Sequence, residues 1–594
     1  MDVSRPWRYP RSYLRLVTLI VALAALLTPL DSTITSVSLP YIAEGVRAGY
    51  VEALWIPLGY LSALAALLLP FGRLGDIRGR RDLMIMGFVI FSVGTAMSGL
   101  SSTGLELDAW RVLQGVGGAM IMSNAGALIS EVYPPWERGR AFGYYTMAVY
   151  VGTVAGPLIG GAIVSYPALL GLASWRWVFF VTLPPAVAGL LASWAMLREP
   201  RDLKPSRTSH MDLRGTALSV PGLFAIMAGV TEGSFVGWDT ASTVALAIGA
   251  ILLAAFLFSE HRSGRDALLD LSLFSNPGFT AGNLAALLNY AGFYFLPFFL
   301  SYYMQRVLGY PPSHASEVLL AIFLSMVVLA PLSGRLSDRI GSRGLATGGM
   351  ALIAAGIASL TMLGTSATAQ EVALRALVVG VGMGLFSSPN TAAVMRSSPK
   401  ERLGTANATL STVRVIGQAL SLAIAGSLAA VLIPRATLVY IFTGLGSPAS
   451  VSPVRFVEGL RMVYEVMAAL VAAGAVASAV RGKEAVEEGA SGRADRDSCR
   501  PGHSELVVGA WLARSEGRGL REHRMPRAQR CLKDEPEAWI LRKRDGREAP
   551  GLGAGLITGH LRCLAYLREF RVVHRLKLCA NTFVNRMETS LITM

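Results

Sequence analysis

From Leu14 to Val480 the sequence is a succession of apolar stretches, each close to the roughly 20 residues that an α-helix needs to cross the hydrocarbon of a bilayer. They fall near 14–38, 53–71, 83–101, 109–130, 142–164, 177–197, 213–232, 241–259, 278–302, 315–333, 344–364, 371–393, 404–432 and 456–480. The length rule therefore gives about fourteen spanning segments, numbered 1 to 14 in chain order. With 53% hydrophobic and only 16% charged residues, and a mean hydropathy of +0.48, the chain lies outside ordinary soluble domains. The fold class expected is an all-α polytopic membrane protein. The opening MDVSRPWRYPRSYLRL and the apolar run behind it read as the first spanning helix, because the run is long and no small-residue cleavage site clearly follows it.

The formal charge of +15 would suit a nucleic-acid partner in a soluble protein, but no nucleic-acid-binding motif is present and the arginines gather in loops. With the N-terminus in the cytoplasm, the cytoplasmic loops hold about 25 Lys and Arg against about 5 outside, the sense that the positive-inside rule requires. Both ends of the membrane domain are then cytoplasmic, in a multi-pass protein of the cell membrane. All four cysteines, Cys499, Cys531, Cys563 and Cys579, lie beyond the last apolar segment, so no thiolate site or disulfide is expected within the membrane. Cys499 and His503 have a spacing a metal could use, yet two ligands are too few for a site. No cofactor and no metal are expected.

The chain repeats itself. GRLGDIRGRR, Gly72 to Arg81, returns about 260 residues later as GRLSDRIGSR, Gly334 to Arg343, and PWER at Pro135–Arg138 returns as PKER at Pro399–Arg402. Arg111 and Arg375 are offset similarly. Segment n thus maps onto segment n plus eight, which leaves six helices in each half and segments 7 and 8 as an inserted hairpin. The divisions expected are residues 1–200 for the N-terminal half, 201–265 for the linker and inserted pair, 266–481 for the C-terminal half, and 482–594 for a basic tail. Pseudo-symmetric halves around a central site are how many secondary transporters alternate access. No GxxxxGK[ST] sequence occurs, so ATP is not the expected energy source.

The first of these repeats, with Gly72, Arg73, Asp76, Gly79, Arg80 and Arg81, resembles the signature gating loop of the major facilitator superfamily, and Asp338 and Arg343 belong to its echo. A charged turn that only fixed topology would need no aspartate. RVLQGVGGA from Arg111 resembles the superfamily's fourth-helix motif, whose arginine faces the central cavity and takes part in proton transfer. GTVAGPLIGG, with Gly152, Gly156, Pro157, Gly160 and Gly161, resembles the motif that separates antiporters from importers; its glycines leave one helix face bare for close packing. LDSTITSVSLP at Leu30–Pro40 and WRWVFFVTLP at Trp175–Pro184 are similar to sequences of the fourteen-helix drug:proton antiporters. Together these likenesses cover about residues 10–480. They imply a major facilitator fold and export of small lipophilic molecules, some of them cationic, in exchange for protons, by a protein that is not an enzyme and acts as a monomer. A metabolite facilitator or importer on the same fold, and a transporter-like sensor of ligands, are the alternatives.

Charges inside the membrane are functional candidates by default. Asp31 lies about 12 Å below the outer surface at 1.5 Å per residue, and Arg111, at comparable depth, is a candidate partner for it; snorkelling of Arg111 to the interface is the competing reading. Asp108 and Gln114, its neighbours, do not decide between these. Arg414 and Glu465 lie near mid-membrane on adjacent segments, and a pair between them would favour the charged carboxylate. Asp31 is therefore the expected proton carrier, with Glu465 and Arg414 as a second candidate pair. Glu317 and Arg375 lie near the outer interface and are expected to be solvated or to snorkel. From Gly482 onward the charged fraction rises to about a third, too polar to bury a large core, so disorder is expected there ahead of an amphipathic surface helix.

Overall fold

The computed structural model describes residues 9–134, 137–197, 212–236, 238–263, 268–399, 402–444 and 452–480. The tail after residue 480, and with it every cysteine, lies outside the described residues. Within them are 14 helical spans long and apolar enough to cross a membrane. The first half holds α1 (Arg11–Gly45), α2 (Tyr50–Arg78), α3 (Arg80–Leu100), α4 (Gly104–Val132), α5 (Arg138–Val164), and a sixth span broken into α6 (Ser174–Phe180) and α7 (Leu183–Met196). A two-strand hairpin, β1 (Ala168–Leu169) with β2 (Leu172–Ala173), joins α5 to α6. α8 (Leu213–Val236) and α9 (Thr240–Ser263) follow. The second half holds α10 (Pro277–Phe293), α11 (Leu296–Tyr302), α12 (Pro312–Ile340), α13 (Ser342–Leu360), α14 (Ala369–Arg396), α15 (Leu403–Leu432), α16 (Arg435–Thr443) and α17 (Pro453–Ala479).

Packing repeats between the halves as the sequence does. α1 lies on α5 as α10 lies on α15; α2 lies on α4 as α12 lies on α14; α3 lies on α4 and α7 as α13 lies on α14 and α17. The helix starts repeat too. Thr103 caps α4 by accepting from the Glu106 amide, and Thr368 caps α14 by accepting from the Glu371 amide, so a T-x-x-E start recurs in both halves.

The basic motif is helical where a loop was expected. Residues 72–78 form the last two turns of α2, and one residue, Gly79 at φ 101°, turns the chain into α3. Gly341 at φ 88° does the same between α12 and α13. That backbone region is open to glycine at little cost and strained for other residues. Gly75 has a further reason: a Cβ there would come within 1.9 Å of the Asn124 side-chain oxygen on α4. Glycine at 75 therefore lets the end of α2 lie close against α4.

α8 and α9 pack on one another, and α8 sits against α2 and α15. Trp55 stacks on Phe224 with ring centroids 6.5 Å apart, and the Ser427 hydroxyl donates to the Val230 carbonyl at 2.8 Å. The hairpin thus lies along the seam between the halves on their α2–α15 side.

Polar contacts among the described residues join the halves at the end where α1 finishes and α2 begins. Gln305 Nε2 donates to the Val37 carbonyl at 3.0 Å, Arg306 pairs with Glu44 at 2.6 Å, and the Tyr50 hydroxyl donates to the Gly426 carbonyl at 2.7 Å. Gln305 and Arg306 lie on a π-helical turn, Tyr303–Val307, that closes the ninth span. π-turns of this kind recur at functional sites.

Candidate functional site

The side chain on which α1, α2 and α4 converge is Arg111, the largest fully buried side chain among the described residues. Its Nη1 donates to both oxygens of Asp31, at 3.0 and 2.8 Å, and to Gln114 Oε1 at 2.6 Å. Gln114 Nε2 closes the ring on Asp31 Oδ1 at 2.9 Å. Arg111 Nε donates to the Ile56 carbonyl on α2 at 2.9 Å, and the guanidinium carbon stands 4.7 Å from the Tyr60 ring centroid and 5.9 Å from that of Phe179. Asp31 and Arg111 each leave 1% of the side chain accessible. Snorkelling is excluded by this geometry: the guanidinium points into the bundle, between two rings that suit a cation electrostatically.

The local sequence explains the convergence. Arg111 and Gln114 are three apart on α4 and share a face, so both reach Asp31 from one side. Ile56 and Tyr60 are one turn apart on α2, which places a carbonyl and a ring on the same cation. A buried charge pair repays its desolvation only where further hydrogen bonds satisfy its remaining donors and acceptors. Here Gln114 and the Ile56 carbonyl supply them.

Opposite Asp31 the second half contributes Tyr294, whose hydroxyl lies beside Ser32 and within electrostatic reach of Asp31 and Arg111. One turn earlier on the same helix is Tyr290, which stands 5.8 Å from the guanidinium carbon of Arg414.

Arg414 and Glu465 are not brought together. Arg414 Nη2 donates to Thr391 Oγ1 at 2.5 Å, whereas Glu465 is exposed on the outer face of α17. Depth along two neighbouring helices does not fix their rotation. Glu317 is exposed beside His314 at 3.2 Å, and Arg375 lies 3.9 Å from Glu371.

At the α2–α3 turn Arg80 bonds Asp76 and also Glu131 on α4, the latter at 3.0 Å. Arg81 donates to the Leu197 and Trp194 carbonyls at 2.7 and 3.2 Å, tying α3 to the end of α7. Arg73 and Gly72 lie on α2 just before these groups. In the echo, Arg343 is half-buried at the start of α13, with serine preceding it where Arg80 stands in the first motif; the Asp338 side chain lies outside the described residues.

The glycines of α5 face α1. A Cβ on Gly152 would come within 2.5 Å of the Leu26 carbonyl, on Gly156 within 2.0 Å of Thr33 Oγ1 and 2.7 Å of the Ile34 amide, and on Gly160 within 2.9 Å of the Ile34 carbonyl. Gly161 turns the other way: its Cβ would meet Ser316 Oγ at 1.9 Å, on α12 of the second half. Pro157 sits inside a helix that stays continuous. Tyr60, Tyr290, Thr391 and Gln305 were not singled out by sequence, and nothing in the linear order marks them, since each matters through a helix distant in the chain; Phe179 falls within the Trp175–Pro184 motif but was not picked out there.

Two echoing helical bundles, 14 spans and an ion pair sealed in the first bundle define a polytopic membrane transporter. The description Major Facilitator Superfamily matches residues 21–282 and 282–460. A tetracenomycin C resistance and export protein of Streptomyces glaucescens is 30% identical over 72% of this chain and 76% of its own length. The riboflavin transporter RibZ of Clostridioides difficile is 26% identical over 69% of this chain and 86% of its own. Among solved structures, a bacterial homologue of the human lysosomal transporter Spinster superposes with a TM-score of 0.60 at 19% identity, covering 80% of this chain and 98% of that one. The chain belongs to the major facilitator superfamily.

Proposed function

We propose that the protein is a proton-coupled exporter of small lipophilic molecules that alternates access by rocking its two bundles. The observation that carries this reading is the sealed Asp31–Arg111–Gln114 cluster. A proton arriving at Asp31 removes the negative charge that Arg111 faces and leaves the cation to Gln114 and the Ile56 carbonyl. α1 is then released from α4, and α1 also carries the Val37 carbonyl and Glu44, two of the contacts that hold the halves together. One helix thus connects the protonation site to the closure. Its bare-faced neighbour α5 gives it a smooth track, because Gly152, Gly156 and Gly160 present no side chain to it.

Export is favoured over import by the antiporter-like glycine motif and by likeness to the tetracenomycin C export protein. The bias of Lys and Arg among the loops supports an orientation with the α1–α2 end outside the cell and both ends of the membrane domain in the cytoplasm. Proteoliposomes loaded with a pH-sensitive dye test the coupling. Addition of a transported compound is expected to move protons in the opposite direction. Transport of that compound with no proton movement would favour a facilitator on the same fold.

A further inference from the structure

Arg414 has no anionic partner among the described residues, although it lies half-buried within the span of α15. Its guanidinium makes one hydrogen bond, to Thr391 Oγ1, and its Nε is buried without a partner. Glu465, the carboxylate at similar depth, faces away. A guanidinium offers five donors in a planar fork that fits a carboxylate in two parallel bonds. Three half-buried tyrosines lie in the neighbourhood of this charge. Tyr290 stands beside it on α10, and Tyr145 and Tyr150, on α5 of the opposite half, lie within electrostatic reach of it. The group therefore spans the seam between the bundles.

The charge balance decides what such a site accepts. Asp31 is matched by Arg111, so that cluster contributes no net charge. Arg414 leaves its surroundings beside Tyr290 positive, and a half-buried cation there repels a cationic ligand and attracts an anionic one. We infer that Arg414, Thr391, Tyr290, Tyr145 and Tyr150 form a binding site for flat aromatic molecules carrying an anionic group, the rings stacking on the tyrosines and the anion pairing with the Arg414 guanidinium. This names the substrate class of the transport proposed above and rests on that reading. It also differs from the lipophilic, in part cationic, substrates that the sequence resemblance implies. Tyr294 caps the end of α10 one turn after Tyr290, so a ligand seated on Arg414 lies one helical turn from the group beside Asp31.

The test compares two dyes built on one xanthene ring system, 5-carboxyfluorescein, which is anionic, and rhodamine 6G, which is cationic. Binding of each to the purified full chain in detergent is followed by fluorescence anisotropy at fixed pH and ionic strength. The wild type is expected to bind 5-carboxyfluorescein at least tenfold more tightly, Arg414→Gln to lose at least tenfold of that affinity without weakening rhodamine 6G, and Arg414→Lys to retain the anionic preference. Tighter binding of rhodamine 6G by the wild type, binding of neither dye, or an unchanged affinity for 5-carboxyfluorescein in Arg414→Gln would overturn the proposal. The wild-type comparison stands even where a variant fails to fold. Binding reads neither protons nor direction, so loss of coupled export with this preference intact would count against the transport reading alone.

Discussion

Arg111 holds both carboxylate oxygens of Asp31, at 2.8 and 3.0 Å, across the crossing of α1 and α4, and neither side chain is more than 1% accessible. Removing one member of such a pair strands the other charge in a medium that cannot solvate it, at a cost of about 3–5 kcal/mol. Arg111→Leu is therefore expected to lower the thermal midpoint in detergent markedly. The double variant Asp31→Asn with Arg111→Leu is expected to be less destabilised than the sum of the single variants, since it strands nothing. Strict additivity would mean that the two side chains do not depend on each other.

The α1–α5 contact leaves no room for a methyl group at Gly156, where Thr33 Oγ1 and the Ile34 amide stand 2.0 and 2.7 Å from the Cβ position. Gly156→Ala is expected to destabilise by about 1–3 kcal/mol, the usual cost of overpacking. Gly143→Ala on the same helix meets nothing within 4 Å and serves as the control. Equal melting behaviour of the two variants would remove the close-packing account of the motif.

Arg80 connects the last turns of α2 and α4 through Asp76 and Glu131, while the second half carries Ser342 at the matching position. These pairs are half-exposed, and exposed pairs contribute about 0–1 kcal/mol. Arg80→Ser is thus expected to leave the melting midpoint nearly unchanged while slowing transport at least several-fold, and Asp76→Asn to impair transport more than Asp338→Asn. Wild-type rates in all three variants would reduce the motif to a topological turn.

Gln305 and Arg306 grip α1 through the Val37 carbonyl and Glu44. Spin labels on Ser102→Cys and Ser366→Cys, exposed positions in the α3–α4 and α13–α14 connections, report the separation of the halves at that end once Cys499, Cys531, Cys563 and Cys579 are replaced by serine. Adding Gln305→Ala and Arg306→Ala is expected to shift the measured separations to longer values. An unchanged distribution would mean that other contacts hold this end shut. The same two cysteines are expected to react with an impermeant maleimide from outside, and a cysteine at Pro399 only from the cytoplasm. Pro399 is preferred to its neighbour Ser398, which is buried with its hydroxyl donating to the Val394 carbonyl.

The spans were legible because a 20-residue apolar window is a strong signal, and the two-half organisation because Gly72–Arg81 returns as Gly334–Arg343. Helix ends were less so. α2 and α12 continue through the basic motifs, where apolar content has already fallen, and the turns that end them fall on Gly79 and Gly341. Asp31 and Arg111 could be chosen by depth and residue type, but the supporting Gln114, Tyr60 and Phe179 needed the fold. The expected pairing of Arg414 with Glu465 failed on rotation. On α17 the buried positions Phe456, Leu460, Val463, Tyr464, Met467 and Val471 trace one face at helical spacing, and Glu465 lies off it. That pattern could have been read from the sequence.

Export driven by protons through Asp31 is tested most directly in everted membrane vesicles acidified inside by respiration, with uptake of 5-carboxyfluorescein, rhodamine 6G and ethidium measured by filtration. The wild type is expected to accumulate at least one of these dyes, to lose that accumulation on addition of an uncoupler, and to lose it equally when Asp31→Asn is introduced, with binding of the dye to the purified variant retained. Accumulation that survives the uncoupler, or that Asp31→Asn supports at the wild-type rate, would contradict the account.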